Sequence, residues 1–340
     1  SVRIPRTSTD HRTVTAVDMT VPELTAKAVV LQEPRQLALR KLTLTPPTAA
    51  DCVVDIEYSG ISTGTERLLW TGHMPPFPGM GYPLVPGYES VGRVVDAGPQ
   101  SLRSVGEWVF VPGARCYDEV NGLFGGAASR VVVPGARLLP VPEGLGEQGV
   151  LLALAATAQH AVAGSGSSAA QLPELIVGHG VLGRLLARVV MANGGEPPVV
   201  WETNPKRADG ATGYDVIDPA QDQRHDYRSI VDVSGDATLL DSLIGRLARG
   251  GEIVLAGFYE APISFDFPPA FMRELHLRVA AEFKEPDLVA VRDALAEGSL
   301  SFDGLITHRS PAADAATAYE TAFNDPACLK MILDWRGANG

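Results

Sequence analysis

Two groups of residues in this 340-residue chain have types and spacing suited to chemistry. The first lies in Gly60 to Gly92, GISTGTERLLWTGHMPPFPGMGYPLVPGYESVG. It gathers the hydroxyls of Ser62, Thr63, Thr65 and Tyr88, the carboxyls of Glu66 and Glu89, and the imidazole of His73. Such groups pass protons and stabilise developing negative charge. Plainer roles fit the same residues: Ser62 and Thr63 as turn caps, Tyr88 as a space-filling phenol, Glu89 as a structural acid. The second group is Gly178-His179-Gly180-Val181-Leu182-Gly183, after the apolar run Leu175 to Val177 and at the start of an apolar helical pattern. That context is the one a dinucleotide fingerprint requires. Gly178 allows the tight turn, Gly180 lets backbone approach a pyrophosphate, and Gly183 lets helix and strand pack closely.

The next apolar run, Pro198 to Trp201, ends at Glu202, where a carboxylate binds both ribose hydroxyls and so favours NAD over NADP. Lys206 and Arg207 in the same loop are either solvated or partners for a 2′-phosphate. His179 either flanks the pyrophosphate or faces solvent. Ser234-Gly235 and Gly257-Phe258, after Ala256, end two later strands, as contacts on the nicotinamide side or as plain turns.

The elements that must position these groups follow two rhythms. Between Ala26 and Val133, short β-branched runs punctuated by Gly and Pro (Ala28 to Leu31, Cys52 to Tyr58, Ser90 to Val95, Trp108 to Val111, Arg130 to Val133) predict an all-β, barrel-like domain. From Leu175 strand and helix alternate, which predicts a parallel sheet with crossover helices. After Glu285 come a helix, a strand over Gly304 to Thr307, a helix over Ala312 to Asn324 and a strand over Ala327 to Leu333. This tail is too small to fold alone and is expected to return to the first domain. The expected division is an extension over 1–25, a barrel over 26–155, a cofactor domain over 156–284 and the return over 285–340. His160 falls on the helix entering the cofactor domain, where a buried or capping histidine is the usual case.

Composition narrows the classes of partner. A net charge of −12 opposes nucleic-acid binding across the surface. No apolar run approaches a membrane span. Cys52, Cys116 and Cys328 are scattered, with neither a CxxC pair nor a His at ligand spacing, which fits reduced thiols in a cytoplasmic protein. The first twenty residues contain Asp10 and Asp18 and no apolar core, unlike a secretion signal, and Met19 is a candidate internal start.

With Pro86-Gly87-Tyr88-Glu89-Ser90-Val91-Gly92-Arg93-Val94, the glycine fingerprint and the closing LITHRSP and LKMILDW segments, the chain from Ala26 resembles the medium-chain dehydrogenase/reductase superfamily. The resemblance implies an α/β protein with a GroES-like β-barrel catalytic domain and a Rossmann-fold cofactor domain. Zinc-dependent members bind catalytic metal through a Cys, the His of GHE, and a third Cys or acid before the cofactor domain. The matching positions here are Ser62 or Thr63, Tyr88, and the apolar Leu152-Ala153-Leu154. Hydroxyls do not replace thiolate and imidazole on zinc at neutral pH, so no catalytic zinc is expected. The four-cysteine zinc lobe is also missing, because Pro112 to Ser129 holds only Cys116.

The longer strings, from Ser59 to Gly92 and GLFGGAASRVVVPGAR, are similar to a branch of that superfamily acting on bacteriochlorophyll-pathway pigments. That likeness implies NAD-dependent oxidation of a 1-hydroxyethyl group at C3 of a magnesium bacteriochlorin to acetyl. Ser62, Thr63 and Tyr88 are then the candidates for alcohol contact, with Glu89 beside them. The run Trp70, His73, Met74, Pro75, Pro76, Phe77, Met80, Tyr82 reads as a loop, either lining a slot for the tetrapyrrole, with Thr65, or packing over the barrel. Arg67, Arg115 and Arg130 are candidates to pair with a propionate, against the commoner role of solvated surface charges. Transient membrane contact and a homodimer are candidate associations. Two rivals remain: a zinc-free NADPH-dependent quinone or enoyl reductase, and a non-catalytic nucleotide-binding sensor.

Overall fold

A computed structural model of the chain describes residues 22–164 and 172–339. The expected extension up to residue 21, with Met19, lies outside the described residues. The first half consists of β1 (Thr25–Glu33), β2 (Gln36–Thr43), β3 (Asp51–Ile61), α1 (Thr65–Thr71), β4 (Leu84–Val85), β5 (Ser90–Ala97), β6 (Trp108–Val111), β7 (Asn121–Gly122), β8 (Arg130–Pro134) and β9 (Leu139–Pro140). Each of the five expected runs falls within one of these strands. β2 was not expected, because QLALRKLT is not β-branched; it alternates half-buried Leu37 and Leu39 with exposed Ala38 and Arg40 at the end of its sheet, where charge discourages further pairing.

The nucleotide unit follows: α2 (Leu152–Ala163), β10 (Leu175–Val177), α3 (Val181–Ala192), β11 (Val199–Trp201), β12 (Asp215–Ile217), β13 (Tyr227–Asp232), α4 (Leu240–Arg246), β14 (Leu247–Leu255), α5 (Phe267–Arg273), β15 (His276–Val279) and α6 (Glu285–Glu297). Its six strands are all parallel, in the order β12-β11-β10-β13-β14-β15. The order reverses beside β10, and such a switch point opens a crevice at the carboxyl ends of the strands.

The chain ends with β16 (Ile306–Pro311), α7 (Ala315–Asn324) and β17 (Lys330–Asp334). β17 pairs antiparallel with β3 and extends the sheet β16-β17-β3-β5-β6-β9, with β8 also on β3. Ala315, Ala318, Tyr319, Phe323, Met331 and Leu333 enter the same core as the barrel strands, so the barrel is completed only by the last residues of the chain. α6 departs from the expected division: it packs on α2, and His160 Nδ1 lies 2.8 Å from Asp287 Oδ2, so residues 285–297 stay with the nucleotide unit.

Candidate active site

Neighbouring strand ends bring the first chemical group together. Ser59 of β3 stands opposite Ser90 of β5, so the residue after β3 and those before β5 come together, and Gly60 N–H donates to Glu89 O at 2.7 Å. On the other side of β3, Met331 stands opposite Ile61, which places Lys330 beside Ser62. α1 then turns its first-turn Glu66 into the barrel.

In this geometry Ser62 Oγ lies 2.6 Å from the Tyr88 hydroxyl. Glu66 is fully buried; its Oε2 accepts the Ser62 backbone N–H and its Oε1 accepts the Tyr319 hydroxyl at 2.9 Å. Glu89 is also fully buried, and its Oε2 lies 2.7 Å from Lys330 Nζ, which donates as well to Ile61 O at 3.0 Å. The Glu89 Oε1 has no hydrogen-bond partner among the described residues. Gly60 makes room for this pair, since a Cβ there would meet Glu89 Oε2 at 2.3 Å.

Loss of hydration governs the protonation of the cluster. Burial, then the nearby Glu89, pushes the Glu66 carboxyl up to about 8. Burial also raises Glu89, opposed by Lys330. Burial, then Glu89, raises the Tyr88 hydroxyl, and burial, then Glu66, raises Tyr319, so both remain neutral phenols at neutral pH. Tyr88 can therefore donate or relay a proton, but is no phenolate base.

Some expected assignments change. Glu89, expected among the catalytic groups, is enclosed and ion-paired, so it can act only through its neighbours. The N-cap of α1 is Gly64, which has no side chain to cap the helix, and the Ser62 hydroxyl is taken by Tyr88; Thr63 and Thr65 are half-buried. Trp70, expected in a loop facing substrate, lies on α1 and is buried in the barrel core against Phe323, with ring centroids 5.4 Å apart. Tyr82 donates to Leu69 O, and with Met74 and Met80 it packs on the same core. His73 and Phe77 stay exposed at the surface of this segment. Arg130 forms a two-pronged pair with Asp55, at 2.5 and 3.0 Å, which removes it as a free propionate partner; Arg67 and Arg115 are exposed. Lys330 and Tyr319 were not singled out; a lysine entering the apolar strand MIL is the signal that pointed to the former.

The second group forms a dinucleotide cradle. Gly178 has φ +113°, a conformation disfavoured for residues with a Cβ. A Cβ on Gly183 would meet Gly178 O at 1.8 Å, so α3 and the turn touch backbone to backbone. A Cβ on Gly180 would meet nothing within 4 Å, which leaves the start of α3 open to a phosphate. Glu202, just after β11, accepts the His179 N–H at 3.2 Å and the Asn204 N–H at 2.7 Å, fixing its carboxylate beside the glycine turn. The residues present thus fit a nicotinamide dinucleotide.

The His179 side chain is a correction: neither facing solvent nor free for the pyrophosphate, it is fully buried. Its Nδ1 lies 2.5 Å from Arg207 O, which can only accept, so Nδ1 carries the hydrogen and Nε2 accepts the Tyr214 hydroxyl at 2.8 Å. Arg184 binds the same loop through Arg207 O at 3.0 Å and Asp209 O at 2.8 Å. Lys206 remains exposed. Buried Asp232 accepts Ser234 N–H at 2.9 Å and the Tyr259 hydroxyl at 2.8 Å. A Cβ on Gly257 would lie 3.2 Å from Gly235 N, so the turns Ser234-Gly235 and Gly257-Phe258 are packed together.

The three positions that hold zinc in the resembled superfamily do not fit it here. Ser62 or Thr63 and Tyr88 offer hydroxyls, and Leu152 and Ala153 are buried and apolar. Among the described residues no grouping of three His, Cys, Asp or Glu is placed to hold a metal ion.

Comparison with known proteins agrees with this architecture. Residues 48–143 match the family described as alcohol dehydrogenase GroES-like domain. The chain is 57% identical over 313 residues to a 2-desacetyl-2-hydroxyethyl bacteriochlorophyllide A dehydrogenase of Rhodobacter capsulatus, covering 92% of this chain and 99% of that one. It is 58% identical over 314 residues to a protein of the same name from Cereibacter sphaeroides, covering 91% and 98%. Among solved structures, a short chain alcohol dehydrogenase from Escherichia coli complexed with cofactor NADH shares the fold, with a TM-score of 0.78, 23% identity and coverage of 91% and 99%. This chain belongs to the medium-chain dehydrogenase/reductase family, alongside those two bacteriochlorophyllide dehydrogenases.

Proposed function

We propose that this protein oxidises the C3 1-hydroxyethyl group of a bacteriochlorophyllide to acetyl in bacteriochlorophyll a biosynthesis, with NAD and without catalytic zinc. The observation that carries the substrate is the likeness, over nearly the whole chain, to two proteins named for that pigment. NAD, when bound, supplies the hydride acceptor. The chain holds it through the Gly178 to Gly183 turn and Glu202, with the paired Ser234-Gly235 and Gly257-Phe258 turns toward the nicotinamide. Glu202 favours NAD because an added 2′-phosphate would meet its charge.

The Ser62 and Tyr88 hydroxyls hold and move the alcohol proton. When Ser62 donates to Tyr88, the phenol hydrogen is free to hold the substrate oxygen. When the bond reverses, the Tyr88 oxygen accepts the alcohol proton as its own hydrogen passes to Ser62, whose former hydroxyl proton leaves past half-buried Thr63 to water. Thr63 and Thr65 border this pair, and exposed His73 and Phe77 are assigned to the pigment side.

The proposal includes a cytoplasmic location and passing contact with a membrane to collect the lipophilic pigment; among the described residues no helix is long and apolar enough to cross one. It also includes a homodimer. β15 ends its sheet, and Phe267, Phe271, Met272, Leu277 and Val279 are exposed around it, a surface that a second copy's matching edge would pair and cover.

Turnover tests the reading: purified protein with a 3-hydroxyethyl bacteriochlorophyllide and NAD should shift the pigment absorbance as NADH forms. Faster reaction with NADP, or one stoichiometric zinc per chain by metal analysis, would refute the corresponding part. NADPH-driven reduction of a quinone without alcohol oxidation would refute the whole.

A further inference from the structure

We propose that Glu66 is a positioning residue of the alcohol site, setting the Ser62 and Tyr88 hydroxyl pair and tying its proton transfer to the protonation of its own carboxyl. The inference rests on the alcohol dehydrogenase reading above and assigns a role to a residue that touches neither alcohol nor cofactor.

Glu66 binds the backbone N–H of the residue whose hydroxyl faces Tyr88, so the carboxyl fixes where Ser62 presents its Oγ. Its other oxygen reaches across to Tyr319 on α7, which braces α1 against the C-terminal return. A carboxyl with no cation of its own is costly to bury, and simple packing does not need it. The charged and titratable groups facing it are Glu89 before β5, Lys330 on β17, Tyr88 and Tyr319. Lys330 is paired with Glu89, so two carboxyls share one amine. The enclosed cluster is neutral when Glu66 holds a proton and carries one negative charge when it does not.

The two states differ in hydrogen bonding. An ionised Glu66 accepts from both Ser62 N–H and Tyr319. A protonated Glu66 carries a hydrogen on one oxygen, so one of its two bonds, to the Ser62 N–H or to the buried Tyr319 hydroxyl, is weakened or must reverse. The chemistry balances without any further oxidant: the alcohol carbon gives hydride to the nicotinamide, the alcohol proton passes to Tyr88, the Tyr88 proton passes to Ser62, and the proton Ser62 already carried leaves past half-buried Thr63 to water. Negative charge on Glu66, next to Ser62, favours the arrival of that proton, so alcohol oxidation speeds up as Glu66 ionises.

The test uses the full chain with NAD and the hydroxyethyl pigment, comparing the unmodified protein with Glu66→Gln and Tyr319→Phe. Gln keeps the shape and does not titrate; its oxygen can accept the Ser62 N–H while its amide donates to the Tyr319 oxygen. The unmodified protein should show kcat/KM rising with pH through a limb near 8. Glu66→Gln should lose that limb, with kcat lowered by about 10–100-fold, as for other outer partners of catalytic groups. Tyr319→Phe should keep the limb and move it to higher pH, because a bond to the ionised form is gone. In the free protein, the infrared band of a protonated carboxyl should disappear over the same pH range and be missing from Glu66→Gln. An unchanged limb in Glu66→Gln, or the same band in both proteins, overturns the proposal. Absence of turnover in the unmodified protein, with NAD still bound, instead overturns the alcohol reading and the proposal with it.

Discussion

Replacing single glycines in the cofactor cradle separates a packing requirement from a ligand requirement. In Gly183→Ala the new Cβ would start 1.8 Å from Gly178 O, where real contacts stay beyond 3.0 Å, so α3 must withdraw from the turn by at least 1.2 Å. The obstacle is backbone and cannot rotate away. Overpacking of this kind costs about 1–3 kcal/mol of stability, and the shift also carries the N–H groups of α3 away from the phosphate. Gly180→Ala differs: its φ of −75° suits any residue and no atom lies within 4 Å of the new Cβ, so the free protein should be as stable as before. That open space is where the pyrophosphate is expected, and the same 1–3 kcal/mol charged to binding weakens NADH by roughly 5- to 150-fold. Thermal melts of the free protein and NADH titration by fluorescence would measure both. The reasoning is refuted if Gly180→Ala binds NADH normally, or if Gly183→Ala melts and binds like the unmodified chain.

Removal of Lys330 as Lys330→Met leaves the Glu89 carboxyl buried without a partner and should lower stability by about 3–5 kcal/mol; adding Glu89→Gln should recover most of it, as denaturant unfolding would show. Tyr88→Phe should reduce kcat by about 100-fold or more, with Ser62→Ala a smaller loss and pigment KM little changed in either; unchanged turnover in both would remove the hydroxyl pair from the mechanism. Glu66 binds its proton more tightly folded than unfolded, so its contribution to stability is fully present below about 4.5 and is lost as pH rises towards about 8. The loss is on the order of 3–5 kcal/mol, and melts of Glu66→Gln should be flatter over that range.

Much of the framework was legible because its signals are local. Alternating β-branched runs, the glycine fingerprint after an apolar strand, and an acid closing the next strand are each set by neighbours in sequence, and the corresponding elements formed where expected. Misreadings came where a residue's environment is supplied from far away. Trp70 looked like part of an open loop, yet Phe323 and the barrel core enclose it. His179 looked like a turn residue, yet Arg207 O and Tyr214 surround its ring. Arg130 looked free for an anion until Asp55, on the adjacent strand, took both its prongs.

The sequence by itself determined the two-part architecture, the glycine cradle with Glu202, and the replacement of metal-binding side chains by hydroxyls, since all of these reside in residue type and short spacing. Only the tertiary structure decided which polar groups act together. Pairing of β17 with β3 and of β3 with β5 places Lys330 beside Glu89 and Ser62 beside Tyr88, while α7 delivers Tyr319 to Glu66. The physical reason is that charge and proton affinity in a buried cluster depend on desolvation and on neighbours within a few ångströms, and those neighbours come from segments more than two hundred residues apart.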